Sequence, residues 1–183
     1  MAVKRLLLLG LLLCSFAVQA TPEIQSWNSA NGAKVLFVEA PELPMIDVRV
    51  VFDAGSARDG EIPGLARMTN SMLTEGAGSW SADEIAERIE SVGASLSAEA
   101  FRDMSVVSLR SLTDKKVLKQ ALETMATVIA YPGFEQAALN RNIQALKISL
   151  RQEEQSPSDI ATKAFYKTMY DGHPYAHPSN GTK

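Results

Sequence analysis

One cysteine, Cys14, and two histidines, His173 and His177, are all this 183-residue chain has of the side chains that most often hold transition metals. A single thiol can build neither a disulfide framework nor a thiolate metal site. Positive charge is also in short supply, with 18 Lys and Arg against 21 Asp and Glu and a net charge of −3. Without a basic surplus or a Lys/Arg run, the electrostatic footprint of nucleic-acid binding is missing. No G-x-G-x-x-G or G-K-[ST] follows a strand-like segment, which excludes the usual nucleotide-binding βαβ unit. Internal repeats and low-complexity linkers are missing as well.

The longest apolar run is short and sits at the start. Lys4 and Arg5 precede Leu6 to Leu13, and Val18-Gln19-Ala20 ends the segment with small residues. This is the layout of a secretory signal peptide over residues 1–20, and its apolar stretch is too short to span a bilayer. The bulky Leu13 before Cys14 fits a lipoprotein signal poorly. The expected mature protein starts at Thr21, contains no cysteine, and carries 16 basic against 21 acidic residues, a net charge of −5. An acidic, exported, periplasmic protein is expected, with no membrane attachment after signal cleavage. Residues 21–183 are enough for one domain with a sizeable apolar core.

Along that domain, Thr21 to Ala33 is polar and ends in the turn signal Asn31-Gly32. Lys34 to Glu39 and Met45 to Asp53 read as strands, the second by its alternation of Ile46, Val48, Val50 and Phe52 with Asp47, Arg49 and Val51. The proline-bearing loop between them suggests an antiparallel pair. Pro63 is placed to open a helix through Leu65, Met68, Met72 and Leu73, which stops at Gly76-Ala77-Gly78. Ser81 to Glu84 resembles a capping box for a helix over Asp83 to Val92, closed by Gly93. Ala94 to Ala100 and Met104 to Leu112 read as strands around Arg102-Asp103, with Val106, Leu109 and Leu112 facing the core. Helices follow over Asp114 to Ala130, Glu135 to Glu154, and from Ser156-Pro157 to about Tyr170. Strands and helices in runs, without strict alternation, predict an α+β fold: a mostly antiparallel sheet with helices packed on one face.

Three segments carry a family resemblance. The first is Phe52-Asp53-Ala54-Gly55-Ser56-Ala57-Arg58-Asp59, similar to an x-x-G-S-x-x-[DE] lead into a helix. The second is that helix, Gly64-Leu65-Ala66-Arg67-Met68-Thr69-Asn70-Ser71-Met72-Leu73-Thr74-Glu75-Gly76. The third is Gly172-His173-Pro174-Tyr175-Ala176-His177-Pro178, after the last long helix. In order and spacing they resemble the amino-terminal domain of the peptidase M16 family (insulinase, pitrilysin, mitochondrial processing peptidase). In that family the helix carries an inverted zinc motif, H-x-x-E-H, two imidazoles and a glutamate that activates metal-bound water.

Here the three motif positions read Arg67, Asn70 and Ser71. The family's third ligand, a glutamate on the long helix before the S-P turn, falls near Ile148 or Ser149, and Glu153 and Glu154 lie about one turn further on. Two ligands, the general base and the third carboxylate are therefore replaced, and Arg67 puts a permanent cation beside the vacancy. The reading is a scaffold without its catalysis: no catalytic residue, no cofactor-binding residue and no metal ligand, with zinc expected only in a catalytic partner. His173 and His177, four apart but separated by Pro174, are read as a loop packing the end of the last helix. Glu75, Asp83 and Glu84 are read as helix-end and capping residues, and Met68 and Met72 as core. Trp27 and Trp80 each fit a core edge or an interface.

The resemblance implies a role. M16 proteins enclose a chamber with four related α+β domains, and the subunits without zinc help to wall it and to bind substrate. The expected function is thus a non-catalytic subunit that partners a zinc-bearing M16 peptidase with intact H-x-x-E-H and helps hold a peptide substrate. An active zinc metalloendopeptidase and a stand-alone peptide-binding scaffold are the alternatives. The family normally continues into a second similar domain after Lys183, so the chain is expected to be a truncated form.

Overall fold

The computed structural model describes residues 22–182; residues 1–20, read from the sequence as a signal peptide, lie outside the described residues. The chain divides into two units that meet at Leu43 and Pro44. In the first, β1 (Ile24–Asn28) and β2 (Lys34–Val38) form an antiparallel hairpin, with Trp27 opposite Val35. The turn closes through the Ser29 amide, which donates to the Ala33 carbonyl, and Gly32 takes a positive φ of 86°. Trp27 leans on Phe37 across the hairpin, their ring centroids 6.4 Å apart.

The hairpin corrects an expectation. The strand at Lys34 pairs with Ile24–Asn28, a segment that reads as polar, and not with the strand at Met45. Loop chemistry explains the difference. Asn31-Gly32 makes a tight reversal, whereas Pro41 and Pro44 withhold amides from the link to the next strand.

The second unit is built on a three-stranded antiparallel sheet in the order β3–β7–β6, from β3 (Met45–Phe52), β6 (Ser95–Ala100) and β7 (Ser105–Leu112). Val48 and Val50 of β3 lie opposite Leu109 and Val107 of β7, and Leu96 and Ala98 of β6 flank the same pair. This face meets α2 (Ala82–Glu90) and α3 (Lys115–Ala130), burying Ile89, Val107, Leu109, Ala121 and Met125 in one cluster. Helices α1 (Leu65–Met72), α4 (Gln136–Glu153) and α5 (Pro157–Met169) complete the unit. The α+β fold matches the sequence reading.

The central strand departs from it in detail. Val107, Leu109 and Ser111 are buried on the helix side, whereas Leu112 is 43% exposed. Val106 is buried on the opposite face, where it lies between its cross-strand neighbours Val51 and Glu99. Between α1 and α2, β4 (Gly76–Ala77) and β5 (Trp80–Ser81) make a minimal ribbon. Gly76 accepts from the Gly133 amide, and the Gly78 amide donates to the Tyr131 carbonyl, so two helix-ending turns dock on each other. Trp80 covers the edge of the Ala77, Ile85 and Val128 cluster, with the Arg88 guanidinium 3.9 Å above its ring.

Gly55 fixes the sheet's end. A Cβ there would lie 2.3 Å from the Arg102 carbonyl oxygen and 2.4 Å from the Met104 nitrogen, both main-chain atoms that cannot step aside. The β6–β7 turn is held against it by the Ser56 and Ala57 amides, which donate to the Phe101 and Arg102 carbonyls. Gly55→Ala is expected to destabilise by about 3 kcal/mol through overpacking. Gly93→Ala, at φ 64° in open space, should lose only about 1 kcal/mol. Chemical denaturation of the two variants checks the ranking; equal losses would count against the contact.

Candidate functional site

The residues at the three motif positions sit on α1, and the chain around them determines where α1 starts. Gly64, not Pro63, is the N-cap, with φ 95°. No side chain of the cap itself serves the free amides. Asp59 does: buried at 7% exposure, its carboxylate accepts from the Gly64 amide at 2.7 Å and the Ala66 amide at 2.8 Å. The last residue of the G-S-x-x-[DE] lead is thus a remote cap, a carboxylate at the positive end of a helix. Asp53, at the start of that lead, forms a two-pronged ion pair with Arg58.

From this start, α1 turns its three motif residues to different tasks. Asn70 is 6% exposed and points to the sheet, where its Nδ2 donates to the Ala66 carbonyl and to Ser105 Oγ, both at 2.8 Å. Ser105 Oγ in turn donates to the Ala54 carbonyl at 2.6 Å. Ser71 Oγ donates to the Met68 carbonyl one turn back, at 2.8 Å. Arg67 is partly buried and its Nη1 is sealed from solvent without a hydrogen-bond acceptor. Met72 is buried in the stripe that packs α1 on α4, whereas Met68 is only partly covered.

Across from them, α4 offers no replacement. Ile148 is 56% exposed and Ser149 half-buried. Glu153 is committed elsewhere: it accepts from Asn180 Nδ2 at 2.8 Å and pairs with Lys163 Nζ at 2.8 Å. Glu75 differs from its reading as a helix-end residue. Its two oxygens take Arg141 and Asn142 of α4, at 2.8 and 3.0 Å, and so tie α1 to α4. Among the described residues no group of three or more His, Cys, Asp or Glu could hold a metal ion. A zinc ion does not fit here. The motif positions offer a guanidinium, a hydroxyl returned to its own helix and an amide locked into the core.

Asp83 and Glu84 open α2, and Ser81 and Glu84 make the reciprocal capping box. Accepting from the Ser81 amide and hydroxyl lowers the Glu84 pKa below its usual range.

The two histidines bracket a 3-10 turn, Pro174–Ala176, at the end of α5. His173 Nδ1 accepts from the Tyr175 amide at 3.1 Å, and its ring meets Tyr175 edge-on at 4.7 Å. Arg102, from the β6–β7 turn, stacks 3.8 Å over Tyr166 and donates to the Tyr175 carbonyl at 3.0 Å. Tyr175 Oη donates to Asp103. The segment therefore latches the β6–β7 turn to α5, as a packing role predicts, and His177 contributes its carbonyl rather than its ring.

The chain's family follows from this geometry and from comparison with known proteins. The family model for insulinase, peptidase family M16, matches residues 34–183. The chain belongs to peptidase family M16. A crystal structure of a peptidase M16 inactive domain from Pseudomonas fluorescens is 42% identical and superposes with a TM-score of 0.85, over 87% of this chain and 39% of that one. The uncharacterized zinc protease YmxG of Bacillus subtilis is 22% identical over 161 residues, 87% of this chain and 39% of its own length. The non-peptidase homolog YmxG of Helicobacter pylori is 24% identical over 182 residues, 99% of this chain and 42% of its own. The M16 chain described here thus spans about two fifths of the length of the relatives it matches. Of these three, one is described as an inactive domain and one as a non-peptidase homolog.

Sequence reasoning named the motif positions, and Asp59 as the end of the lead, but missed the contacts by which Asp59 and Ser105 hold the helix. Asp59 was legible as an acid shortly before a helix; Ser105 lies across the sheet, where spacing gives no signal. Asn70→Asp removes the donor shared by Ala66 and Ser105, and a loss of about 2 kcal/mol is expected for a buried partner left unmade. Urea unfolding reads it, and an unchanged midpoint would deny the contact.

The hydrogen bond to Asp103 raises the Tyr175 pKa above tyrosine's ordinary value, with burial and the Asp103 charge acting the same way. The neutral phenol is the form the fold favours. Its contribution is complete below the unfolded pKa of about 10 and is lost as pH rises through the higher folded value. Alkaline difference spectra between the wild type and Tyr175→Phe should place this tyrosine's ionisation above that ordinary value. A midpoint at or below it would argue against the bond.

Proposed function

We propose that this M16 chain is a non-catalytic subunit that pairs with a zinc-bearing M16 peptidase and helps to enclose and hold its peptide substrate. The observation that carries the reading is Asn70. At the position where an active relative needs a glutamate facing bound water, this chain has an amide whose donors are spent on Ala66 and Ser105 inside the core. Arg67 and Ser71 supply no ligand beside it, while the scaffold around all three is kept.

Substrate holding needs no such chemistry. In the three-stranded sheet, β6 pairs on one side only, with β7, and it carries Ser95, Ser97 and Glu99 on its exposed face. An edge strand can add an extended peptide through main-chain hydrogen bonds, with alternate side chains giving selectivity. Hydrolysis would come from the partner's intact H-x-x-E-H. The signal-like residues 1–20 support export, and we place the pair in the periplasm.

Affinity purification of the protein from periplasmic extract should recover an M16 subunit with intact zinc ligands, and the complex should cleave peptides that this chain alone leaves whole. Stoichiometric zinc in the isolated protein, with chelator-sensitive cleavage, would instead establish the active-peptidase reading. A protein that repeatedly purifies alone, without activity or metal, would favour the stand-alone scaffold.

A further inference from the structure

A cavity of about 400 Å³ opens beside α1, lined by Ala66, Thr69 and Asn70 of that helix and not by Arg67. Its walls are mainly apolar, with Phe52, Leu65, Leu73, Val107 and Ile129 among them. The volume lies toward the small end of the range for ligand sites, enough for one compact molecule or one large side chain. Phe52 and Leu65 remain 39% and 46% exposed and form an apolar mouth.

The charges around the cavity are already committed. Arg58 and Asp53 neutralise each other in their two-pronged pair. Asp59 spends both oxygens on the Gly64 and Ala66 amides. An ionic ligand would find no free counter-charge in these groups and would lose its hydration, so a neutral ligand is favoured.

One polar atom is not committed. Asn70 lines the cavity and is more than nine-tenths buried, yet among the described residues its Oδ1 has no hydrogen-bond partner. Nδ2 faces an acceptor in the Ala66 carbonyl, and the Ser105 hydroxyl donates its hydrogen to the Ala54 carbonyl and so accepts from Asn70, which together fix which end of the amide is the oxygen. A buried acceptor left unpaired is costly, and an arriving donor recovers that cost.

The geometry points to a binding site for a compact, uncharged, mainly apolar group that presents a single N–H or O–H to Asn70 Oδ1. The group could belong to a free small molecule or to an aromatic side chain of a peptide; the chemistry at the site is the same. The site does not depend on the proposed pairing with a catalytic subunit, because every wall belongs to this chain.

Indole and indene, nearly identical in shape but differing in the N–H, make the test. Calorimetric titration of the full chain should show saturable one-to-one binding of indole. Indene should bind about tenfold more weakly, the loss of one net hydrogen bond. Ala66→Phe, which fills the cavity, should abolish both. If that variant fails to fold, amide shift changes on the wild type must fall on residues 52–55, 65–73 and 105–107. N-acetyltryptophanamide that displaces indole assigns the site to a peptide side chain, and failure to displace assigns it to a free small molecule. No saturable binding at the solubility limit of indole overturns the proposal. So does equal affinity for indole and indene, or shifts confined to other surfaces.

Discussion

The second unit depends on one carboxylate placed inside a helix's positive end. Asp59 satisfies two amides of α1 from a position five residues before the cap, and to do so the chain must fold back on itself between Asp59 and Gly64. That reversal brings Gly55 under the β6–β7 turn and sets the rotation of α1 about its axis. The rotation in turn decides that Asn70 faces the sheet and that Glu75 meets α4. A helix cap is usually a local device; here it aligns the sheet's end, the motif helix and the cavity between them.

The three motif positions take part in the packing around α1. Asn70 and Ser105 form a polar chain to Ala54 that ties α1 to the sheet, and Ser71 closes back on its own helix. The polar groups at two of the three motif positions are thus spent on packing and on the helix's own backbone. Glu75 and its partners Arg141 and Asn142 add a second tie on the α4 side. The motif positions therefore help to stabilise the frame that carries them.

How far the sequence foretells this varies with the range of the interaction. Local rules placed β3, α2 and α3 well, since alternation, the Ser81–Glu84 box and the Asp114 cap act within a few residues. The helix after the S-P turn was equally legible from Ser156, which accepts from the Asp159 amide. Pairing was not. The partner of β2 depended on which of two loops could close a hairpin, and a polar composition concealed β1. Leu112 was expected in the core with Leu109, but the two are three residues apart, so Leu112 faces the other side of β7 and is exposed. At the site, the replaced residues could be read directly, while their new partners could not, because Ser105 and Asn142 are remote in sequence.

One contact has a bearing on how the molecule is made. Gly64 and Gly181 approach so closely that a Cβ on the first would lie 2.8 Å from the Cα of the second. The start of the motif helix is thus seated against a segment synthesised long after it. Contacts between distant parts of a chain form slowly, since the loop between them must be ordered first. During translation α1 emerges well before the Gly181 segment against which its start is seated. That interval is when a holding chaperone would matter most to this protein.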